Sequence, residues 1–220
     1  MSRSSSTAEG SSHAANGPPP PAERAPWLWA GLGLAAMLAL LWWGRHSALG
    51  DWMPLRWSDL QPQASAELRA WQYVVIHHSA GEVGNAESID RDHLSRGWDG
   101  IGYHFVINNG APLPPGRVEW TFRWNLQRHG AHVAAGEMNR QGIGICLVGH
   151  LDRHPPHPRQ YERAVELTAL LLKHIPSLAI ERVVGHGEVP GASTNCPGAH
   201  MDMHEFRLAV SRKLADLRQP

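Results

Sequence analysis

Gly142-Ile143-Gly144-Ile145-Cys146-Leu147-Val148 carries no charge and is apolar on both of its faces. A strand with that pattern belongs inside a sheet covered on both sides, which is the setting of α/β proteins. Working outward, Tyr73 to His78 is a second short apolar strand and Gly102 to Asn108 a third, closed by the turn signal Asn108-Asn109-Gly110. Ile180 to Val184 is a fourth. Between them, Ser88 to Arg96 reads as a helix that Ser88 caps through its hydroxyl. Arg159 to Ile175 carries apolar residues at helical spacing and stops at Pro176, and Glu205 to Leu217 is a closing helix. No internal repeat is present, and the chain from about Leu55 onward suffices for one ordinary domain.

These strands place a small set of chemically capable side chains. His77 ends the strand Val74-Val75-Ile76-His77, His186 follows the last strand in Gly185-His186-Gly187-Glu188, and Cys196 lies in the loop beyond. Strand ends and the loops after them are where a sheet scaffold presents functional groups. Two imidazoles and a thiolate suit zinc, and three protein ligands leave the fourth tetrahedral position open for water, as in catalytic sites. The set points to a metal-dependent hydrolase. His78 faces the other side of the sheet from His77, because side chains alternate along a strand. His154 and His157 sit in a Pro-rich loop and read as solvated, while His13, His46, His93, His174, His200 and His204 belong to no motif. Cys146 reads as a small buried hydrophobe.

Lys and Arg number 20 against 20 Asp and Glu, a net charge of +0, so the basic excess of a nucleic-acid binder is missing. Two cysteines exclude a disulfide scaffold. Residues 1–26 are rich in Ser, Ala, Gly and Pro without apolar periodicity, and read as a disordered tail. Residues 27–43, WLWAGLGLAAMLALLWW, carry no charge, and tryptophans stand at both ends. As a helix this run is roughly 25 Å long against a bilayer core of ~30 Å, so it spans if its flanks contribute. The expectation is one N-terminal transmembrane helix with aromatic belts, then a linker at 44–70 and the catalytic domain at 71–220. A cleaved signal ending at Ala48-Leu49-Gly50 is the alternative, which the long tail and double belts disfavour. Arg3 and Arg24 before the span balance Arg45 and Arg56 after it, so charge does not orient it.

The domain resembles the type 2 N-acetylmuramoyl-L-alanine amidases, the fold shared by bacteriophage T7 lysozyme and the peptidoglycan recognition proteins. The resemblance runs from Trp71 to Gly198 through several motifs in order. They are Val75-Ile76-His77-His78-Ser79, Gly97-Trp98-Asp99-Gly100-Ile101-Gly102-Tyr103-His104-Phe105, Gly130-Ala131-His132, Asn139 before Ile143-Gly144-Ile145, Gly185-His186, and Thr194-Asn195-Cys196-Pro197-Gly198. It implies a single mixed central β-sheet flanked by helices, with Zn2+ held by His77, His186 and Cys196. Tyr103 matches the family's catalytic tyrosine, and Thr194 stands where relatives carry a lysine or threonine that donates to the oxyanion. His132 and Asn139 are expected at the substrate, His104 in a structural role, and Glu188 behind His186.

The implied activity is hydrolysis of the amide between N-acetylmuramic acid and L-alanine in peptidoglycan. The alternatives are a non-catalytic peptidoglycan-binding module and a phage-type lysin with a membrane-tethered export segment. Such a substrate places the catalytic domain on the periplasmic side of the cytoplasmic membrane, anchored by its single N-terminal helix. Some relatives carry an aspartate as third ligand and an acid in the central strand, where this chain has Cys196 and Cys146. The general base is therefore not a carboxylate on that strand. Oligomeric state has no signature in the sequence.

Overall fold

The structure is a computed structural model that describes residues 53–219. The tail, the apolar run 27–43 and the first part of the expected linker lie outside those residues. Among the described residues no helix is long and apolar enough to cross a membrane.

Five strands form one sheet in the order β3-β2-β4-β1-β5. They are β1 (Tyr73–His78), β2 (Phe105–Ile107), β3 (Val118–Trp120), β4 (Gly142–Leu147) and β5 (Val183–Gly185). β4 is the middle strand and wholly buried, as its two-faced apolar pattern predicts. β1 runs parallel to β4 and β5, β2 parallel to β4, and β3 antiparallel to β2, so the sheet is mixed. The short β3 escapes the sequence pattern because three residues carry too little periodicity. Gly102 to Tyr103 do not extend β2, since the backbone of Gly102 is taken by His93 and Ala131. Ile180 to Arg182 wind into a 3-10 turn, and the last strand begins only at Val183.

Period-two alternation divides the sheet into two faces. Val74, Ile76, Ile143, Ile145 and Leu147 pack into the main core with the long helices Pro158–His174 and Met203–Arg218. Burying each such aliphatic side chain contributes about 1.5–3 kcal/mol. Val75, His77, Gly144 and Cys146 fall on the opposite face. The parallel register sets His77 beside Cys146.

Helix Ala86–Ser95 starts two residues before the expected cap. Asn85 Oδ1 accepts from Ser88 N–H at 2.9 Å while Ser88 Oγ accepts from Asn85 N–H at 2.9 Å, a reciprocal capping box. His157, exposed as expected, also caps Pro158–His174 by accepting from Arg159 N–H. The described part of the 44–70 linker lies on the domain. Leu60 is fully buried, its carbonyl accepts from Trp124 Nε1–H, and Trp57 stacks on His174 at 4.5 Å. Apolar side chains within that stretch are the physical reason.

Arg123 is the one fully buried guanidinium among the described residues. It donates to the carbonyls of Ile101 and His129 and to the carboxylate of Asp99. It thereby ties the loop carrying Tyr103 to the one leading to His132. Arg123→Ala leaves two carbonyls without donors, at about 1–3 kcal/mol each. We expect a stability loss of about 3 kcal/mol, read as a lower urea midpoint. An unchanged midpoint would remove Arg123 from the scaffold.

Candidate functional site

Three segments bring His77, His186 and Cys196 together, one donor atom from each lying within 4.8 Å of the others. His77 comes from the end of β1, His186 opens the 3-10 turn that follows β5, and Cys196 lies ten residues on. Glu188 secures the second segment by accepting from Gly185 N–H at 2.8 Å and pairing with Arg207. It holds the loop backbone rather than the His186 ring. The group faces a cleft of about 960 Å3 whose walls include Tyr103, His93, Trp98 and Asn139.

The donor geometry suits zinc. His77 Nδ1 stands 3.7 Å from Cys196 Sγ. Ligand bonds of ~2.05 Å to nitrogen and ~2.3 Å to sulfur give a tetrahedral edge of about 3.6 Å. Burial holds the His77 and His186 imidazoles neutral, below the ordinary histidine value, and neutral imidazole is the ligating form. The Cys196 thiol is pushed up to about 11 by burial, against the pull of His78 N–H, which points at its sulfur from 3.4 Å. Its thiolate thus needs a cation nearby.

His77 is oriented from behind. Its Nε2 lies 3.0 Å from His132 Nδ1, and His132 Nε2 lies 3.2 Å from the Gly142 carbonyl. With Nδ1 as ligand, Nε2–H donates to His132 Nδ1, and His132 in turn donates to Gly142. His132 is buried, with its pKa lowered to about 4 mainly by that burial. Room for its ring comes from glycine: a Cβ on Gly144 would come within 2.6 Å of it. Asn139 Oδ1 accepts from both His132 N–H and Val133 N–H, at 2.7 and 2.9 Å, which holds that loop in place.

Tyr103 stands over the site with its ring 5.1 Å from that of His77. Burial is the first cause, and the neighbouring thiols the next, that raise its phenol well above 10 and keep it a proton donor. Cys146 is fully buried and its thiol raised by burial, so this strand supplies no base. Thr194 is exposed and outside the cleft lining, and its hydroxyl oxygen accepts from Cys196 N–H at 3.1 Å. The cleft also takes in His93, which belongs to no sequence motif. It accepts from Gly102 N–H and packs on Trp98 and Tyr103. Its position on an ordinary helix turn carries no sequence signal.

His104 is structural. Its Nδ1 accepts from Gly144 N–H and its Nε2 donates to the Arg128 carbonyl. Burial first, then His132, hold it well below 6.5, so the native ring is neutral where the unfolded one titrates near ~6.5. That difference stabilises the fold above the unfolded pKa and is lost as pH falls toward the folded one. The metal-free chain should therefore show a lower urea midpoint at about pH 5 than at about pH 7. The drop should shrink in His104→Asn. Equal midpoints at both pH values would rule out a neutral buried His104.

A family model described as N-acetylmuramoyl-L-alanine amidase matches residues 67–199. Peptidoglycan-recognition protein SC1a of Drosophila melanogaster is 30% identical over 138 residues, 59% of this chain and 69% of the relative. Among solved structures, the Ph2119 endolysin from Thermus scotoductus MAT2119 bacteriophage Ph2119 is 26% identical with a TM-score of 0.51, covering 70% of this chain and 94% of that one. The N-acetylmuramoyl-L-alanine amidase LysC from Clostridium intestinale URNW has a TM-score of 0.54, covering 69% and 93%. At 24% identity that last likeness is one of fold.

Proposed function

Because the chain belongs to the N-acetylmuramoyl-L-alanine amidase family, we propose that it hydrolyses the amide joining the lactyl group of N-acetylmuramic acid to L-alanine in peptidoglycan, with Zn2+ held by His77, His186 and Cys196. The observation that carries this reading is the convergence of all three donors at the cleft. A recognition module needs no such set, so its completeness beside Tyr103 favours an enzyme.

Bound there, zinc supplies a water of pKa near ~7 and polarises the amide carbonyl. The protein's own residues do the rest. Tyr103 is protonated and its ring packs beside that of His77; its hydroxyl, hydrogen-bonded to the Cys146 thiol in the resting site, turns from it to donate to the carbonyl oxygen as negative charge develops. His132 fixes the tautomer and plane of His77. Thr194, exposed and outside the cleft lining, holds the backbone of Cys196 through its oxygen. Asn139 has its oxygen committed to the 132–133 backbone, which leaves the amide nitrogen for a muropeptide. His132→Ala should weaken zinc binding by roughly 10–100-fold, the usual effect of losing a group that orients a ligand. Competition against a chromophoric chelator measures it, and unchanged affinity would leave His132 to the substrate alone.

The test of function is digestion of purified peptidoglycan by the full chain, with zinc and with chelator, read by mass spectrometry. Chelator-sensitive release of intact stem peptides with a free L-alanine amine establishes the amidase. Retention on the sacculus without new amines assigns a recognition module instead. The substrate also bears on residues 27–43: a single-pass anchor there sets the catalytic domain on the periplasmic side, where peptidoglycan lies. A C-terminal reporter active only in the cytoplasm would refute that topology.

A further inference from the structure

A second group of donors converges where β1 and β4 end. The register pairs His78 with Leu147, and the chain leaving β4 turns at Gly149, whose φ is +140°, to bring His150 and Asp152 back toward His78. One donor atom from each of His78, His150 and Asp152 lies within 4.8 Å of the others. We infer that these three side chains bind a second divalent metal ion of the zinc class, separate from the one proposed at His77.

The surroundings of each residue support this. His78 Nδ1 accepts from Leu151 N–H at 3.0 Å, which fixes the ring and leaves Nε2 to ligate. Asp152 Oδ1 accepts from Ala199 N–H at 3.0 Å, which orients the carboxylate and leaves its other oxygen. His150 Nδ1 is buried and has no hydrogen-bond partner among the described residues. Among those residues no hydrogen bond or ion pair links the three side chains to one another. The His78 and His150 rings meet edge to face, with centroids 5.6 Å apart. A ring nitrogen buried without a partner is costly, and a cation is an occupant that satisfies it and the carboxylate together. Two imidazoles and one carboxylate form a ligand set that suits zinc and its neighbours, with one position left for water. Ligands held by backbone groups through their other atoms are characteristic of metal sites.

The position lets the ion brace the loop that carries Cys196. His78 N–H points at Cys196 Sγ, Asp152 holds Ala199, and the Leu151 carbonyl accepts from His200 N–H at 2.9 Å. An ion here clamps the segment carrying Cys196 to the end of the sheet.

The experiment counts metal. The full chain is stripped with chelator, dialysed against Zn2+, and its zinc per chain measured by inductively coupled plasma mass spectrometry. The wild type should hold two ions, while His150→Ala and Asp152→Asn should each hold one. Asp152→Asn keeps the acceptor for Ala199 N–H, so it tests ligation without unfastening the loop. His77→Ala should also hold one, and with Co2+ as probe that ion should lack the thiolate charge-transfer band that Cys196 produces. A wild type with one zinc, lost in His77→Ala and kept in both His150→Ala and Asp152→Asn, overturns the second site and leaves the first. One zinc lost in His150→Ala and kept in His77→Ala supports the second site and overturns the first.

Discussion

His77→Ala is expected to lose zinc from the cleft and to lose amidase activity with it. The imidazole is buried on the cleft face of β1, between His132 on one side and Cys196 on the other. Alanine leaves two donors, His186 and Cys196, and the latter's thiol reverts to its protonated form because burial raises it to about 11. Losing several kcal/mol of charge stabilisation, at 1.36 kcal/mol per tenfold, lowers turnover on the order of 10³-fold or more. The fold should survive, since Val74 and Ile76 on the opposite face still pack in the main core. Circular dichroism with zinc analysis and stem-peptide release separates the two effects. A folded variant that keeps both cleft zinc and turnover would refute the ligand assignment.

Tyr103→Phe should leave zinc content and KM near those of the wild type and lower kcat by roughly 10²–10³-fold, the loss found when one oxyanion donor is removed. Only the hydroxyl is changed, so the ring contacts to His77 and His93 remain. The phenol is held protonated by burial and by the thiols near it, and so donates at any physiological pH. A variant that raises KM with kcat intact would make Tyr103 a binding residue rather than the oxyanion donor.

Thr194 shows how far motif order reaches. Its place two residues before Cys196 follows from the sequence, yet its oxygen accepts from Cys196 N–H, a bond that depends on how the loop closes. His132 is similar. Its motif marks it for the cleft, but its bond to His77 spans 55 residues and needs the bare surface of Gly144 beneath the ring. Arg123 has no motif at all, because its partners are Asp99, Ile101 and His129, on loops that meet only in the folded chain.

By itself the sequence determined the alternation that sends His77 and His78 to opposite faces, the central place of β4 and the two long helices, and it named His77, His186 and Cys196 as the candidate donors that the fold brings together. These follow from period-two and 3.6-residue patterns and from the chemistry of side chains at strand ends, all local to a few residues. Only the tertiary structure decided the antiparallel β3, the buried Arg123, the chain from His77 through His132 to the Gly142 carbonyl, and the meeting of His78 with His150 and Asp152. Each depends on atoms brought together by sheet register and loop closure across long stretches of chain. A local pattern does not encode such distances, because they are set by the packing of the whole domain.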